Sequence, residues 1–119
     1  MANIESLLRN GADVNTKDVK GFSLLMCCSK NNDINSINAL LSYGVRINEK
    51  DTKGNTALDY AVSTNNLKIV KILVENGAFI NDSSYMLAIN KKLKDILYYF
   101  DSLDSNKQIF LKKRKIDEN

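Results

Sequence analysis

The chain has no histidine, no tryptophan and no proline. Without histidine it lacks the usual general base, a common zinc ligand and the normal partner of a catalytic serine or cysteine. Without tryptophan and proline, many recognition platforms are excluded as well. Cysteine is confined to the adjacent pair Cys27 and Cys28. That pair can build neither a disulfide framework nor a metal site, and it suits a reducing, intracellular setting. No apolar run approaches the roughly 18 residues of a membrane span. The opening MANIESLLRNGADVN lacks a basic stretch followed by an apolar one, so no secretory leader is expected. Glycine-rich phosphate loops, paired carboxylates in an apolar setting and metal-ligand spacings are missing too. Neither an enzyme nor a cofactor-binding protein is expected: cofactors none, metals none.

What remains is 119 residues, 44% hydrophobic and 26% charged, with a net charge of +3. This describes one soluble globular domain with a modest core, and the charge is too mild for a dedicated nucleic-acid binder. Asparagine is abundant, 16 of the 119 residues, as are lysine and isoleucine. Such usage resembles that of AT-rich genomes.

The dominant signal is internal repetition. Gly11, Gly44 and Gly77 are separated by 33 residues twice, inside GADVN, GVRIN and GAFIN. Asn15, Asn48 and Asn81 keep the same step, as do Leu7, Leu40 and Leu73, and Ile4, Ile37 and Val70. Asp18, Lys20, Gly21 and Leu25 reappear as Asp51, Lys53, Gly54 and Leu58. A period of this length marks a stacked repeat protein.

The unit at 51–83 can be read locally. DTKG is a turn, because Asp can bond its own backbone and Gly can adopt positive φ. Thr56 is an N-cap, and Asp59 three residues later can return the bond. Leu58, Ala61 and Val62 mark one face of a short helix. STNN ends it, and Leu67, Val70, Leu73 and Val74 mark the face of a second helix that Gly77 closes in the left-handed region.

The 33-residue period, the DxxGxTxLxxA of 51–61 and the closing GAxxN resemble the ankyrin repeat. The resemblance implies an all-α solenoid of stacked helix-turn-helix units with projecting β-hairpin-like fingers. It covers residues 1–81 well and 82–101 weakly. Where the family has Thr-Pro-Leu-His, this chain has TALD (56–59) and SLLM (23–26). The missing proline no longer preorganises the first helical turn, and the missing histidine can no longer tie neighbouring units, so a less rigid array is expected. The expected organisation is an array over 1–101, with a partial unit at 1–15, repeats at 16–48 and 49–81, and a degenerate helical pair at 82–101. Ala88, Leu93, Ile96 and Phe100 align there with Ala61, Leu67, Val70 and Val74 if one residue is deleted between the helices. A helix capped by Ser105 and Gln108 and a basic tail are expected over 102–119.

Several motifs have plain readings. Cys28 aligns with Ala61 and reads as a small buried residue. Tyr98, Tyr99 and Phe100 near Lys91, Lys92 and Lys94 could stack bases, but core packing accounts for them. Lys112–Lys115 resembles a short nuclear-import signal. Lys17, Lys20, Lys50 and Lys53 bracket the two fingers and would form a basic stripe that steers an acidic partner.

The resemblance implies a non-enzymatic protein-binding module. Its contacts should lie at the finger tips and the exposed ends of the inner helices: Val19, Lys20, Phe22, Lys30 and Asn31, then Thr52, Lys53, Asn55, Ser63 and Thr64. Phe22 is expected as an exposed aromatic anchor. The expected partner is a protein with an acidic surface, not a small molecule, nucleic acid or membrane, and the chain is expected to act as a monomer. The degenerate repeats also resemble ankyrin proteins of large DNA viruses such as poxviruses, or of intracellular bacteria. That implies a modulator of host signalling in the cytoplasm, with nuclear entry through Lys112–Lys115 as an alternative location. A structural remnant of a longer array is the competing reading, because the first unit has no inner helix to cover Ile4, Leu7 and Leu8.

Overall fold

The computed structural model describes residues 4–103. Seven helices lie among them: α1 (Ile4–Arg9), α2 (Leu24–Lys30), α3 (Ile34–Ser42), α4 (Ala57–Ser63), α5 (Leu67–Glu75), α6 (Asp82–Asn90) and α7 (Lys94–Ser102). Helices α2, α4 and α6 pack side by side as an inner row. Of the outer helices, α1 packs on α3 and α5 packs on α7, and each inner helix packs on the outer helix that follows it. The stack is 53 Å along its longest axis.

Helix starts follow the local chemistry. Thr56 accepts from the Asp59 amide, and the Asp59 carboxylate accepts from the Thr56 amide at 3.0 Å, so both halves of the box form. Ser23 caps α2 in a box with Met26, and Asp33, Asn66 and Asn81 cap α3, α5 and α6, each by accepting one amide of the first turn. Each cap satisfies an otherwise orphaned amide of the first turn. The α7 start differs: Leu93 stands at its N-cap and makes no side-chain cap bond.

This corrects the expected alignment of the last pair. Asn32, Asn65 and Lys92 all have positive φ, at 59°, 55° and 57°. The turn between helices therefore keeps its length in every unit, and no residue is deleted there. Lys94 pairs with Leu67, and Leu93 takes the place of Asn66. Ile96 and Phe100, which are fully buried, fall at the positions of Ile69 and Leu73.

The core runs continuously through the stack. Leu25, Met26, Cys28, Leu58, Ala61, Val62 and Ala88 come from the inner row, and Ile37, Leu40, Ile69, Val70, Leu73, Ile96 and Phe100 from the outer one. Ile69 joins this core although the sequence face omitted it, because α5 packs against both α4 and α7 and so buries a wider stripe than one neighbour would require. Leu67 and Val74 are only half-buried. Leu7 shares its phase with Leu40 and Leu73, yet it is 47% exposed. No inner helix precedes α1 among the described residues.

The repeated asparagines join one unit to the next. Asn15 Oδ1 accepts the Arg46 amide at 2.8 Å, and Asn48 Oδ1 accepts the Phe79 amide at 2.8 Å. Asn48 Nδ2 also donates to the Gly77 carbonyl at 3.0 Å. Asn81 is turned to a different use and caps α6. The tie expected of the missing histidine is made by another pair: Ser84 Oγ donates to Asp59 Oδ1 at 2.6 Å.

Two fingers project between helical pairs. In the first, the Asp18 amide donates to the Phe22 carbonyl and the Gly21 amide to the Asp18 carbonyl, with a bridge between Lys17 and Ser23. The second repeats this through Asp51, Gly54 and Asn55. The Thr52 amide donates to the Lys20 carbonyl at 2.9 Å and joins the two. Gly21 has φ +73°, and a Cβ there would lie 3.1 Å from Asp51 Cα. Gly54 has φ +83° with nothing within 4 Å of its would-be Cβ. Gly54→Ala is therefore expected to cost about 1–2 kcal/mol from backbone strain alone. Gly21→Ala adds crowding against the second finger, worth about 1–3 kcal/mol more. Urea melts of the two variants check this, and equal costs would contradict the close approach of the fingers.

Candidate functional site

Half of the expected contact residues gather at a groove of about 240 Å³ between the fingers. Its walls are Asp18, Lys20, Phe22, Lys30, Asp51, Thr52, Lys53 and Tyr60. Five of the ten expected residues meet there: Lys20, Phe22, Lys30, Thr52 and Lys53. Val19 stands apart at a finger tip, 98% exposed. Asn31, Ser63 and Thr64 are exposed at the ends of the inner helices but do not line the groove. Thr64 turns its hydroxyl back onto the carbonyls of Tyr60 and Ala61. Asn55 is half-buried, and its amide donates to Asp51.

Phe22 is not the exposed aromatic expected from its place in the finger. It is half-buried against the core and meets Tyr60 edge-to-face, with centroids 5.3 Å apart and planes at 87°. Tyr60 lies one unit further along the stack and covers it, which a finger read alone cannot reveal. Tyr60 was itself missed as a lining residue. The available signal was its 33-residue phase with Cys27 on the exposed face of the inner helix.

The electrostatics of the groove rest on two aspartates used internally. Asp18 Oδ1 accepts the Lys20 and Phe22 amides at 2.8 and 2.9 Å. Asp51 Oδ1 accepts the Lys53 and Asn55 amides, both at 2.9 Å, and Asp51 Oδ2 accepts the Tyr60 hydroxyl. Burial opposes ionisation of Asp51, but the Tyr60 hydroxyl and the Asn55 and Lys53 amides hold its carboxyl below the ordinary carboxylate range.

The basic stripe is narrower than the four-lysine pattern suggested. Lys17 Nζ pairs with Glu49 at 2.7 Å, and Lys17 holds the Glu49 carboxyl below its ordinary value. Lys50 is exposed and lies outside the groove. Lys30, from the end of α2, joins Lys20 and Lys53 instead.

The remaining candidates resolve simply. Cys28 is buried beside the inner-row core, and burial, Asp33 and Cys27 push its thiol from an ordinary 9.0 up to about 11. The folded state therefore keeps this proton after the unfolded chain has lost it, and stability falls as pH climbs from about 9 to about 11. Urea midpoints at pH 8, 10 and 11 should drop further for the wild type than for Cys28→Ala, and identical drops would contradict this account. Of the aromatic cluster, only Tyr98 is exposed, at 78%. Phe100 stacks on Tyr85, and the Lys71 ammonium lies 5.5 Å above the Tyr99 ring. Lys112–Lys115 and the expected 102–119 helix and tail fall almost wholly at 104–119, outside the described residues. No helix among the described residues is long and apolar enough to cross a membrane.

Helix pairs stacked in one direction, with hairpin fingers set between them and side-chain ties from unit to unit, define a helical repeat solenoid. The chain belongs to the ankyrin-repeat family: the family model for "Ankyrin repeats (3 copies)" matches residues 2–84. Ankyrin repeats are in general non-enzymatic protein–protein interaction modules. No curated protein matches the chain.

Proposed function

We propose that the chain is a non-enzymatic binding module that captures a protein partner through its finger tips and the exposed ends of its inner helices. The array runs over 1–101, and the contacting set is Val19, Lys20, Phe22, Lys30 and Asn31 with Thr52, Lys53, Asn55, Ser63 and Thr64. The observation that carries this reading is the finger groove, where five of those residues converge on an aromatic floor. Stacked repeats contact only their neighbours, so the surface they leave open is extended and free to vary without disturbing the core. Phe22 supports the groove from within, and Val19, at the finger tip outside it, supplies an exposed apolar contact.

The finer reading is a monomeric modulator of host signalling, carried by a virus or an intracellular bacterium and acting in the cytoplasm on a partner with an acidic surface. Degenerate repeats and the Asn-, Lys- and Ile-rich composition support it.

The double variant Lys20→Glu/Lys53→Glu is expected to weaken capture of the partner by about tenfold or more, through lost attraction and new repulsion. Both side chains are exposed, so urea stability should stay within about 0.5 kcal/mol of wild type. Quantitative pull-down beside a urea melt checks both. Full capture by this variant and by Val19→Asp would remove the proposed face.

A further inference from the structure

We infer that the groove between the two fingers takes an extended acidic segment of the partner protein, with an aspartate or glutamate next to an apolar side chain. This rests on the binding-face reading above and adds the chemistry of what the face holds. The groove brings three lysines to its walls: Lys20 from the first finger, Lys53 from the second and Lys30 from the end of α2. None of the three makes an ion pair among the described residues. The two carboxylates beside them, Asp18 and Asp51, are spent on backbone amides of their own turns and on the Tyr60 hydroxyl. Both keep their charge, and Lys53 acts on Asp51. An incoming carboxylate therefore meets three ammonium groups against two carboxylates whose oxygens are turned to internal donors, which leaves the lining with a net positive charge. At the finger base the situation is reversed, because Lys17 is neutralised by Glu49.

The floor requires the second part of the occupant. The Phe22–Tyr60 pair adds aromatic surface to the lining that holds the three lysines. A polar ligand lying across it would lose water without return, whereas an apolar side chain gains by covering it. The volume, about 240 Å³, falls below the 300–1,000 Å³ usual for whole small-molecule ligands. It suits one or two side chains of a longer chain that continues beyond the groove. The site is also preformed. The bond from the Thr52 amide to the Lys20 carbonyl and the close approach at Gly21 fix the two fingers relative to each other, which lowers the ordering cost of binding. Exposed ion pairs are individually weak and screened by salt. The lysines thus contribute specificity and association rate, and the apolar contact holds the segment in place.

Selection of the full chain against a phage library of random twelve-residue peptides tests this. Enriched peptides should carry aspartate or glutamate beside an apolar residue. The leading sequence, made as a fluorescein-labelled peptide, should bind wild type and lose about tenfold or more against Lys20→Glu/Lys53→Glu. A version with its acidic residues replaced by their amides should lose a similar factor, and far-UV circular dichroism should show the double variant folded. Enrichment of neutral or basic peptides that still lose affinity in Lys20→Glu/Lys53→Glu or Val19→Asp would overturn the acidic chemistry and leave the binding face standing. Peptides indifferent to every groove substitution, or no enrichment at all, would overturn both.

Discussion

Phe100→Ala should cost about 3–5 kcal/mol, the range for truncating a fully buried aromatic side chain. Phe100 has no exposed surface and stacks against Tyr85, with ring centroids 6.5 Å apart, while Tyr99 lies beside it at 6.2 Å. It is the last large side chain of the continuous core, so its removal opens a cavity where no further unit among the described residues can close over it. A urea slope of roughly 1–2 kcal/mol/M is expected for a chain of this size, so the midpoint should fall by about 1.5–5 M. Tyr98→Ala is the control, since its ring is 78% exposed two residues away, and it should move stability by no more than about 0.5 kcal/mol. A Phe100→Ala melt within that same margin would mean that α6 and α7 do not share the core of the stack.

The second large effect belongs to Asp59. Its carboxylate is buried, accepts the Thr56 amide through Oδ2 and accepts the Ser84 hydroxyl through Oδ1. Asp59→Ala removes a helix cap and an inter-unit tie together and leaves the Thr56 amide without its partner. Bonds to a charged acceptor contribute about 1.5–3 kcal/mol each, and a stranded buried donor adds a desolvation cost. Removing the buried carboxylate also relieves the cost of desolvating its charge, so the net loss expected is about 2–4 kcal/mol. Ser84→Ala removes the inter-unit bond and a longer contact of the same hydroxyl with Asn81 Oδ1 at 3.0 Å, and leaves the Asp59–Thr56 capping box in place. The double-mutant cycle should return a coupling of about 1 kcal/mol or more between the two sites. A coupling of zero would mean that this bond does not tie α4 to α6, and the loss of the family histidine would then be uncompensated.

Both predictions rest on contacts that differ in how legible they were in the sequence. Thr56 and Asp59 could be paired in advance because a capping box is a three-residue pattern. The turn glycines and the small Ala61 and Cys28 positions were equally readable, since backbone geometry and helix spacing act over a few residues. The second bond of Asp59 was not, because Ser84 lies 25 residues further on, in the next unit of the stack. Apolar matching also misplaced Leu93 against Leu67. The turn before it keeps its length by holding Lys92 at φ 57°, and a lysine gives no sign of that conformation. Phe22 failed for a related reason. Its burial comes from Tyr60 in the next unit, as the pairing of Lys17 comes from Glu49. The repeat showed which elements exist, whereas the side chains that cross between units decide what the groove contains.

Those crossing contacts make the groove a property of the stack and not of any one finger. The most direct test is a urea melt of the full chain followed by two probes, far-UV circular dichroism for the helices and the summed fluorescence of its five tyrosines. Tyr43 and Tyr98 are exposed, so the change on unfolding comes chiefly from Tyr60, Tyr85 and Tyr99, which belong to α4, α6 and α7. The account predicts a single steep transition at the same midpoint in both signals, with a slope suited to about 100 ordered residues. Separate midpoints, or a shallow drift in the helical signal, would contradict it, because the units would then open one at a time and the fingers would not be held together as a binding face.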